Sequence, residues 1–324
     1  MTGFTRLIVL GLALTAFAQP ADAMTWARAA ALGRAVMSQH NTGAFLRLQD
    51  AATQGDPAAR TILGMVYESG QGVPQNLPLA LHWYQLAAHQ GYAQAQDNLG
   101  FMYYNGNGVP QNLALAFHWY QLAAHQGSAP AQDSLGFMYV KGKGVPQNLP
   151  LAVHWYQLAA HQGYAPAQNN MGFMYYKGKG VTQNLPLAAH WYRLAAHQGY
   201  ARAQDSLGSM YQHGKGVIQN LPLAVHWYQR AAQQGFEPAI ESLRALQQQM
   251  RRTTHAQPVQ TPAAAPAPTV AQRASAAPPV HDRQQSLRNL QRFWTLYFQA
   301  AHAHLVDFGA PALVQPVGFS AAHP

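Results

Sequence analysis

The sequence of 324 residues predicts an all-α fold in which pairs of helices stack into a solenoid, and three observations lead to this prediction. First, glycine recurs at intervals of 36 residues, at positions 55, 91, 127, 163, 199 and 235, and such a period is typical of stacked repeats. Second, apolar residues within a unit fall at helical spacing, as Ala95, Leu99, Met102 and Tyr103 do. Third, two short helices cannot bury their apolar stripes alone, so neighbouring units must cover each other.

The sequence of each unit predicts two helices, A and B, joined by a loop that contains a pair of glycines. In the unit that begins at Gly91, helix A ends at Gly106 and Gly108, because glycine adopts the positive φ that helix ends and tight connections require. Asn112 should cap helix B, and in the other four copies a proline follows in the first helical turn. Gly100, directly after the core leucine of helix A, should let the two helices approach closely.

Helix B contains the stretch HWYQLAAHQG, which first occurs at residues 82–91. We expect its tryptophan and tyrosine to pack in the core, because repetition at a fixed pitch serves stacking. Its two histidines should face solvent, where a column of imidazoles titrating near pH 6.5 is a possible pH sensor. His82 and His89 are about 10.5 Å apart along a helix, so one helix cannot gather them around a metal ion.

Catalytic motifs are lacking, since neither GxSxG nor HExxH occurs and the chain has only 11 carboxylate side chains. We therefore expect a protein that is not an enzyme and that needs no cofactor or metal. The chain also has no cysteine, so its stability must come from buried apolar area. The net charge of +9 favours an acidic protein or an anionic envelope polymer as partner over nucleic acid.

Residues 1–23 combine Arg6, an apolar run and a small-residue ending, which is the pattern of a secretory signal peptide cleaved after Ala23. The apolar run is too short to span a bilayer, and no later segment is comparably apolar. We expect an exported chain, periplasmic or secreted, without a transmembrane segment in its mature form.

The rest of the chain divides by composition. Residues 24–54 predict a degenerate N-terminal repeat that acts as a cap, and residues 55–252 predict five repeats followed by a C-terminal cap helix. Residues 253–280 form an Ala/Pro-rich linker. Residues 281–324 predict an amphipathic helix and tail, and this helix could dock on the solenoid, on a partner protein or on a membrane surface, with or without a regulatory role.

The segment LGFMYYNGNGVPQNLALAFHWYQLAAHQG, from Leu99 to Gly127, resembles the Sel-one-like repeat, a longer-looped relative of the tetratricopeptide repeat. The resemblance covers Gly55 to Arg252. It implies a right-handed α/α superhelix that binds proteins and whose inner groove is lined by helix A. Some cysteine-rich members of that family are linked to penicillin binding and hydrolysis, but without cysteine a β-lactam or cell-wall hydrolase is the least favoured function here.

Candidate binding residues are those that differ between copies on the side of helix A opposite its core stripe. The predicted partner-binding residues are Asp97, Phe101, Tyr104, Asp133, Phe137, Asn169, Phe173, Tyr176 and Asp205. Aromatic rings supply buried area and short polar groups supply hydrogen bonds, a combination that suits an extended peptide or a glycan. Alternatively, the phenylalanines only seal neighbouring units against each other.

A second candidate surface is a basic ridge in the loops between helices A and B. It consists of Lys141, Lys143, Lys177, Lys179 and Lys215. The predicted function is a non-enzymatic scaffold or adaptor that binds a protein or peptide in the cell envelope through the concave helix A face. The alternative is an anionic polysaccharide or peptidoglycan bound through the ridge, and high salt should weaken only that interaction.

Overall fold

The computed structural model of the chain describes residues 24–255, and these residues form thirteen α-helices and no strand. The helices are α1 (Trp26–Gln39), α2 (Thr42–Thr53), α3 (Pro57–Ser69), α4 (Leu77–His89), α5 (Ala93–Asn105), α6 (Leu113–His125), α7 (Ala129–Lys141), α8 (Leu149–His161), α9 (Ala165–Lys177), α10 (Leu185–His197), α11 (Ala201–His213), α12 (Leu221–Ala232) and α13 (Glu237–His255). The predicted signal peptide and C-terminal amphipathic helix lie outside the described residues, as does the linker from residue 256 onward.

The helices stack in chain order, and each packs against the next. The A helices are α3, α5, α7, α9 and α11, and the B helices are α4, α6, α8, α10 and α12. Helix α1 packs against both α2 and α3, and α13 packs against the last B helix. Within the described residues, the predicted all-α solenoid of helix pairs is therefore confirmed.

The helix ends lie where the sequence predicts them. The side-chain oxygen of Asn112 accepts a hydrogen bond from the backbone N–H of Leu115 at 3.0 Å, and the corresponding asparagines cap the other four B helices. Helix α5 ends at Gly106, where φ is 76°. Gly108 also has a positive φ, and a Cβ built on it would lie 2.6 Å from the Cβ of Leu77 in the preceding unit. The second glycine of the pair thus permits the contact between units as well as the turn.

The core of each unit is built around one tyrosine ring. Leu99 and Met102 of α5 are fully buried, and Tyr120 of α6 is 4% exposed. A Cβ built on Gly100 would lie 2.7 Å from the Cδ1 atom of Tyr120, and the same contact recurs in the other four units. The predicted close approach is confirmed, and it consists of a tyrosine ring that lies directly on the glycine.

Pairs of glutamines, one buried and one exposed, join neighbouring units, and the sequence pattern did not reveal them. The Nε2 atom of Gln132 donates to the carbonyl oxygen of Ala124 at 3.1 Å, and the Nε2 atom of Gln162 donates to Oε1 of Gln132 at 2.7 Å. Gln132 is 4% exposed and Gln162 is exposed, so the bond to Ala124 is buried and the bond between the two glutamines is partly buried. Three more junctions have the same bond between glutamines, in the pairs Gln96 with Gln126, Gln168 with Gln198 and Gln204 with Gln234.

Candidate partner-binding surface

Three phenylalanines lie on the exposed side of successive A helices. Phe101 of α5 is 49% exposed, and Phe137 of α7 and Phe173 of α9 are each 38% exposed. Phe137 also contacts Tyr104 of the preceding A helix edge to face, with ring centroids 6.4 Å apart. The two roles left open by the sequence are therefore compatible, because Phe137 packs on the neighbouring unit and still exposes more than a third of its surface.

All five lysines of the predicted ridge lie against the rings of the predicted groove. The distances from Nζ to the ring centroid are 5.9 Å for Lys141 over Phe137, 5.2 Å for Lys143 over Tyr104, 5.3 Å for Lys177 over Tyr176, 5.5 Å for Lys179 over Phe173 and 5.7 Å for Lys215 over Tyr176. The Nζ atoms of Lys143 and Lys215 also donate to the hydroxyl oxygens of Tyr104 and Tyr176, at 3.0 and 3.1 Å. An ammonium group over a ring face is attracted by the ring quadrupole, by about 0.5–1 kcal/mol at an exposed site.

The groove and the ridge, which the sequence suggested as alternatives, are therefore one surface. We call the nine predicted groove residues and the five lysines the helix A surface. Because its cations lie on its own rings, salt affects any ligand bound there, and the salt test proposed from the sequence does not separate the two alternatives.

Four polar residues occupy equivalent positions on the A helices, and we call them the carboxylate row. They are Asp97, Asp133, Asn169 and Asp205, on α5, α7, α9 and α11. The helices that hold successive members are linked next to the row, since the Nδ2 atom of Asn170, the neighbour of Asn169 on α9, donates to Oδ1 of Asp133 on α7 at 2.8 Å. The row therefore runs across neighbouring units rather than along one helix.

The three aspartates of the row are partly buried and form no ion pair with another described residue. Burial raises the pKa of Asp97 to about 7. It raises the pKa of Asp133 to about 6, although the hydrogen bond from Asn170 acts in the opposite direction. Burial also raises the pKa of Asp205, whose Oδ1 atom has no hydrogen-bond partner.

Asn169 does not have the exposure that its predicted partner-binding role requires. It is 4% exposed, and its Oδ1 atom has no hydrogen-bond partner. The physical reason is charge: a neutral amide tolerates burial at a position where a carboxylate keeps partial contact with water. Asn169 as it stands thus presents little surface to a partner.

The outer layer of B helices is built from alternating histidine and tryptophan rings. Trp155 lies between His154, its neighbour in sequence, and His125 of the preceding unit, with ring centroids 5.5 and 5.4 Å apart and the rings nearly perpendicular. Three other tryptophans have the same two neighbours, namely Trp119, Trp191 and Trp227.

Both parts of the sequence prediction for this layer fit the structure. The tryptophans belong to the core clusters, and eight of the nine periodic histidines are exposed. His190 is partly buried, and burial together with Arg193 lowers its pKa. Among residues 24–255 no cluster of metal-ligating side chains occurs, and no helix there is long and apolar enough to cross a membrane.

These features define a class of protein, the helical repeat proteins, in which copies of one helix pair form a continuous stack. The chain belongs to the Sel1 repeat family, whose sequence model matches five consecutive segments, residues 57–92, 93–128, 129–164, 165–200 and 201–236. The matched segments cover each A helix and the B helix that follows it. Sel1 repeat proteins are typically scaffolds for protein interactions.

Solved structures show the same fold. The protective antigen c5321 of uropathogenic Escherichia coli, which has an SLR fold, is 38% identical with a TM-score of 0.59, over 68% of this chain and 48% of that one. This chain therefore matches about half the length of c5321. A Sel1 repeat protein from Oxalobacter formigenes is 33% identical with a TM-score of 0.61, over 66% of this chain and 86% of that one.

A more distant match is the immunity protein Pa5087 from Pseudomonas aeruginosa, 24% identical with a TM-score of 0.44, over 65% of this chain and 83% of that one. None of the curated proteins compared with this chain matches it.

Proposed function

We propose that the protein is an exported, non-enzymatic scaffold that binds an extended segment of a partner protein in the cell envelope through the helix A surface. The observation that supports this most is the set of exposed phenylalanine rings at equivalent positions of three successive A helices, edged by lysines. A rigid aromatic surface of this kind buries apolar area at low entropic cost, which is how binding hot spots work.

The magnitude is sufficient for a specific interaction. Full burial of a phenylalanine side chain contributes about 1.5–3 kcal/mol, and the three rings have between a third and a half of their surface left to bury. Together they should contribute roughly 3 kcal/mol, which corresponds to about a hundredfold in affinity. Removing all three rings should therefore reduce partner binding by that factor.

The test is affinity capture from a cell-envelope extract with the chain from Met24 onward and with its triple variant Phe101→Ala, Phe137→Ala, Phe173→Ala. The matched control is the triple variant of three B-helix leucines that are exposed to a similar extent, 37%, 39% and 38%, namely Leu122→Ala, Leu158→Ala and Leu194→Ala. We expect the phenylalanine variant to lose the captured protein and the leucine variant to retain it. Equal capture by both variants would falsify the assignment of the helix A surface.

An anionic polysaccharide is a second candidate, favoured by the five lysines on the rings of the same surface. Digesting the extract with protease, and inactivating the protease before capture, separates the two candidates and leaves the bait intact. A protein partner is destroyed by this treatment, whereas a polysaccharide is retained and is then released by periodate oxidation.

Export is proposed from the first 23 residues alone, and it has an independent test. Expression of the full chain in a bacterial host, followed by fractionation and N-terminal sequencing, should give a product that begins at Met24 in the periplasm or medium. A product that keeps residues 1–23 in the cytoplasm would contradict it.

A further inference from the structure

The carboxylate row contains acceptors for which the described residues provide few donors. Asp97 accepts no hydrogen bond from a described side chain and, like Asp133 and Asp205, forms no ion pair. The Oδ1 atoms of Asn169 and Asp205 are buried without a partner, and Asn169 is more than nine-tenths buried. Buried polar atoms are nearly always paired in folded proteins, so these two unpaired atoms indicate a need for donors that the described residues do not supply.

The chain has cations of its own close by, yet they do not pair with the row. The five lysines at the ends of the A helices and in the loops that follow lie on aromatic rings, as described above. The ammonium group of Lys141 lies over Phe137, one helical turn from Asp133, yet no lysine is among the charges that shift the pKa of the three aspartates. A cationic group at the row is therefore little repelled by the lysines.

The titratable groups that face the row are tyrosine hydroxyls. Tyr120 of α6 interacts with Asp97, Tyr156 of α8 with Asp133, and Tyr164 at the start of α9 with both aspartates. Tyr228 of α12 interacts with Asp205. None of these hydroxyls supplies a positive charge, so the row keeps its need for a cation from outside.

We propose that the carboxylate row binds basic side chains of the partner segment, one at each repeat that carries an aspartate. This inference rests on the proposed function and specifies the chemistry of the partner. An arginine guanidinium is the best match for such a carboxylate, because it donates two parallel N–H bonds. The buried charge and its hydrogen-bonding capacity are then both satisfied.

The spacing sets the register of the partner. Packed helices lie about 8–10 Å apart. A chain in the polyproline II conformation rises about 3.1 Å per residue with three residues per turn, so every third side chain lies on one face, roughly 9 Å apart. The matching segment is therefore an extended one with a basic residue at every third position.

The probe is a fluorescent twelve-residue peptide with the sequence Arg-Pro-Ala repeated four times. Two control peptides have the same length, one with its four arginines clustered at one end and one with glutamate in place of arginine. Binding is measured by fluorescence anisotropy at pH 8 and physiological salt, with the chain from Met24 onward. We expect the periodic arginine peptide to bind most tightly, and equal affinity for all three peptides would overturn the proposal.

The chain offers its own matched variants, because asparagine already occupies one position of the row. Asp97→Asn and Asp133→Asn should each lower the affinity for the periodic arginine peptide about tenfold, as expected for loss of a charge-assisted hydrogen bond. Asn169→Asp should raise the affinity for the same peptide by a similar factor. Asp50→Asn, which changes an exposed aspartate on α2, is the control and should leave the affinity unchanged.

A second measurement does not depend on the size of the affinity change. A cation bound at the row favours the ionised carboxylates, so binding at pH 6.5 should release protons, and calorimetry in two buffers of different ionisation enthalpy measures that number. Asp97→Asn should reduce the number released. No release by the native chain, or the same release by the variant, would contradict the proposal.

Failure of this inference is distinguishable from failure of the proposed function. If capture of the natural partner depends on the three phenylalanines while the aspartate variants bind partner and peptide as the native chain does, the scaffold function stands and the basic register is wrong. If the peptide binds through the aspartates while the phenylalanine variant still captures its partner, the row is a site but the ring surface is not.

Discussion

Replacing Asp97 with asparagine should stabilise the fold at high pH and change it little at low pH. Burial raises the pKa of this carboxyl from 3.8 in the unfolded chain to about 7 in the folded one. The folded state therefore binds the proton more tightly than the unfolded chain does. A protonated Asp97 costs the folded state no charge burial below pH 3.8, and this advantage in the free energy of unfolding is lost as the pH rises toward 7. Asparagine has no proton to lose, so it avoids this loss.

The magnitude follows from the shift. A difference of about three pH units at 1.36 kcal/mol per unit sets an upper limit of about 4 kcal/mol at pH 8. Asp133→Asn should behave in the same direction with a smaller gain, since the pKa of Asp133 is raised only to about 6. Asparagine fits these positions because Asn169 occupies the equivalent one.

The assay is urea unfolding followed by tryptophan fluorescence at pH 4 and pH 8. We expect the Asp97→Asn variant to exceed the native chain in stability at pH 8 and to approach it at pH 4. The exposed control Asp50→Asn should change stability by less than about 0.5 kcal/mol at either pH. A variant that is no more stable at pH 8, or that gains equally at both pH values, would refute the account of a desolvated, unpaired carboxylate.

Three further predictions concern the contacts that repeat in every unit. Gly136→Ala should destabilise the fold by about 1–3 kcal/mol through overpacking against a tyrosine ring, whereas Gly43→Ala, on an open helix face, should stabilise it by up to about 1 kcal/mol in the same urea assay. Gln132→Ala should cost about 1–3 kcal/mol by leaving the buried carbonyl oxygen of Ala124 unpaired, and the exposed Gln157→Ala should cost almost nothing. His125→Ala should uncover one tryptophan ring and shift its fluorescence emission to longer wavelength, and an unchanged spectrum would contradict the ring contact.

The sequence was sufficient to predict the features that depend on local chemistry. Asn112 and Gly106 mark helix ends because capping and positive φ are properties of a few consecutive residues. The close approach of the helices at Gly100 was predicted, since a glycine that repeats at a fixed position inside a helix indicates packing, but the tyrosine ring that makes the contact was not. The stack itself followed from the period of 36 residues.

The features that the sequence did not show are those that depend on how one unit rotates on the next. Lys143 bonds to a tyrosine 39 residues earlier, and Gln126 bonds to a glutamine 30 residues earlier. Neither separation is a multiple of the 36-residue period, so no comparison of equivalent positions reveals them. The burial of Asn169 was hidden for the same reason, because its sequence equivalents are partly exposed aspartates.

The central claim is that helix A binds the partner while helix B and the junctions hold the stack together. Photo-crosslinking tests it most directly, with a photoreactive phenylalanine analogue placed singly at Phe137 or at Leu158, which are 38% and 39% exposed on an A helix and a B helix. The account predicts that the crosslinked partner forms from position 137 and not from position 158. Crosslinking from position 158 alone, or equally from both, would contradict it.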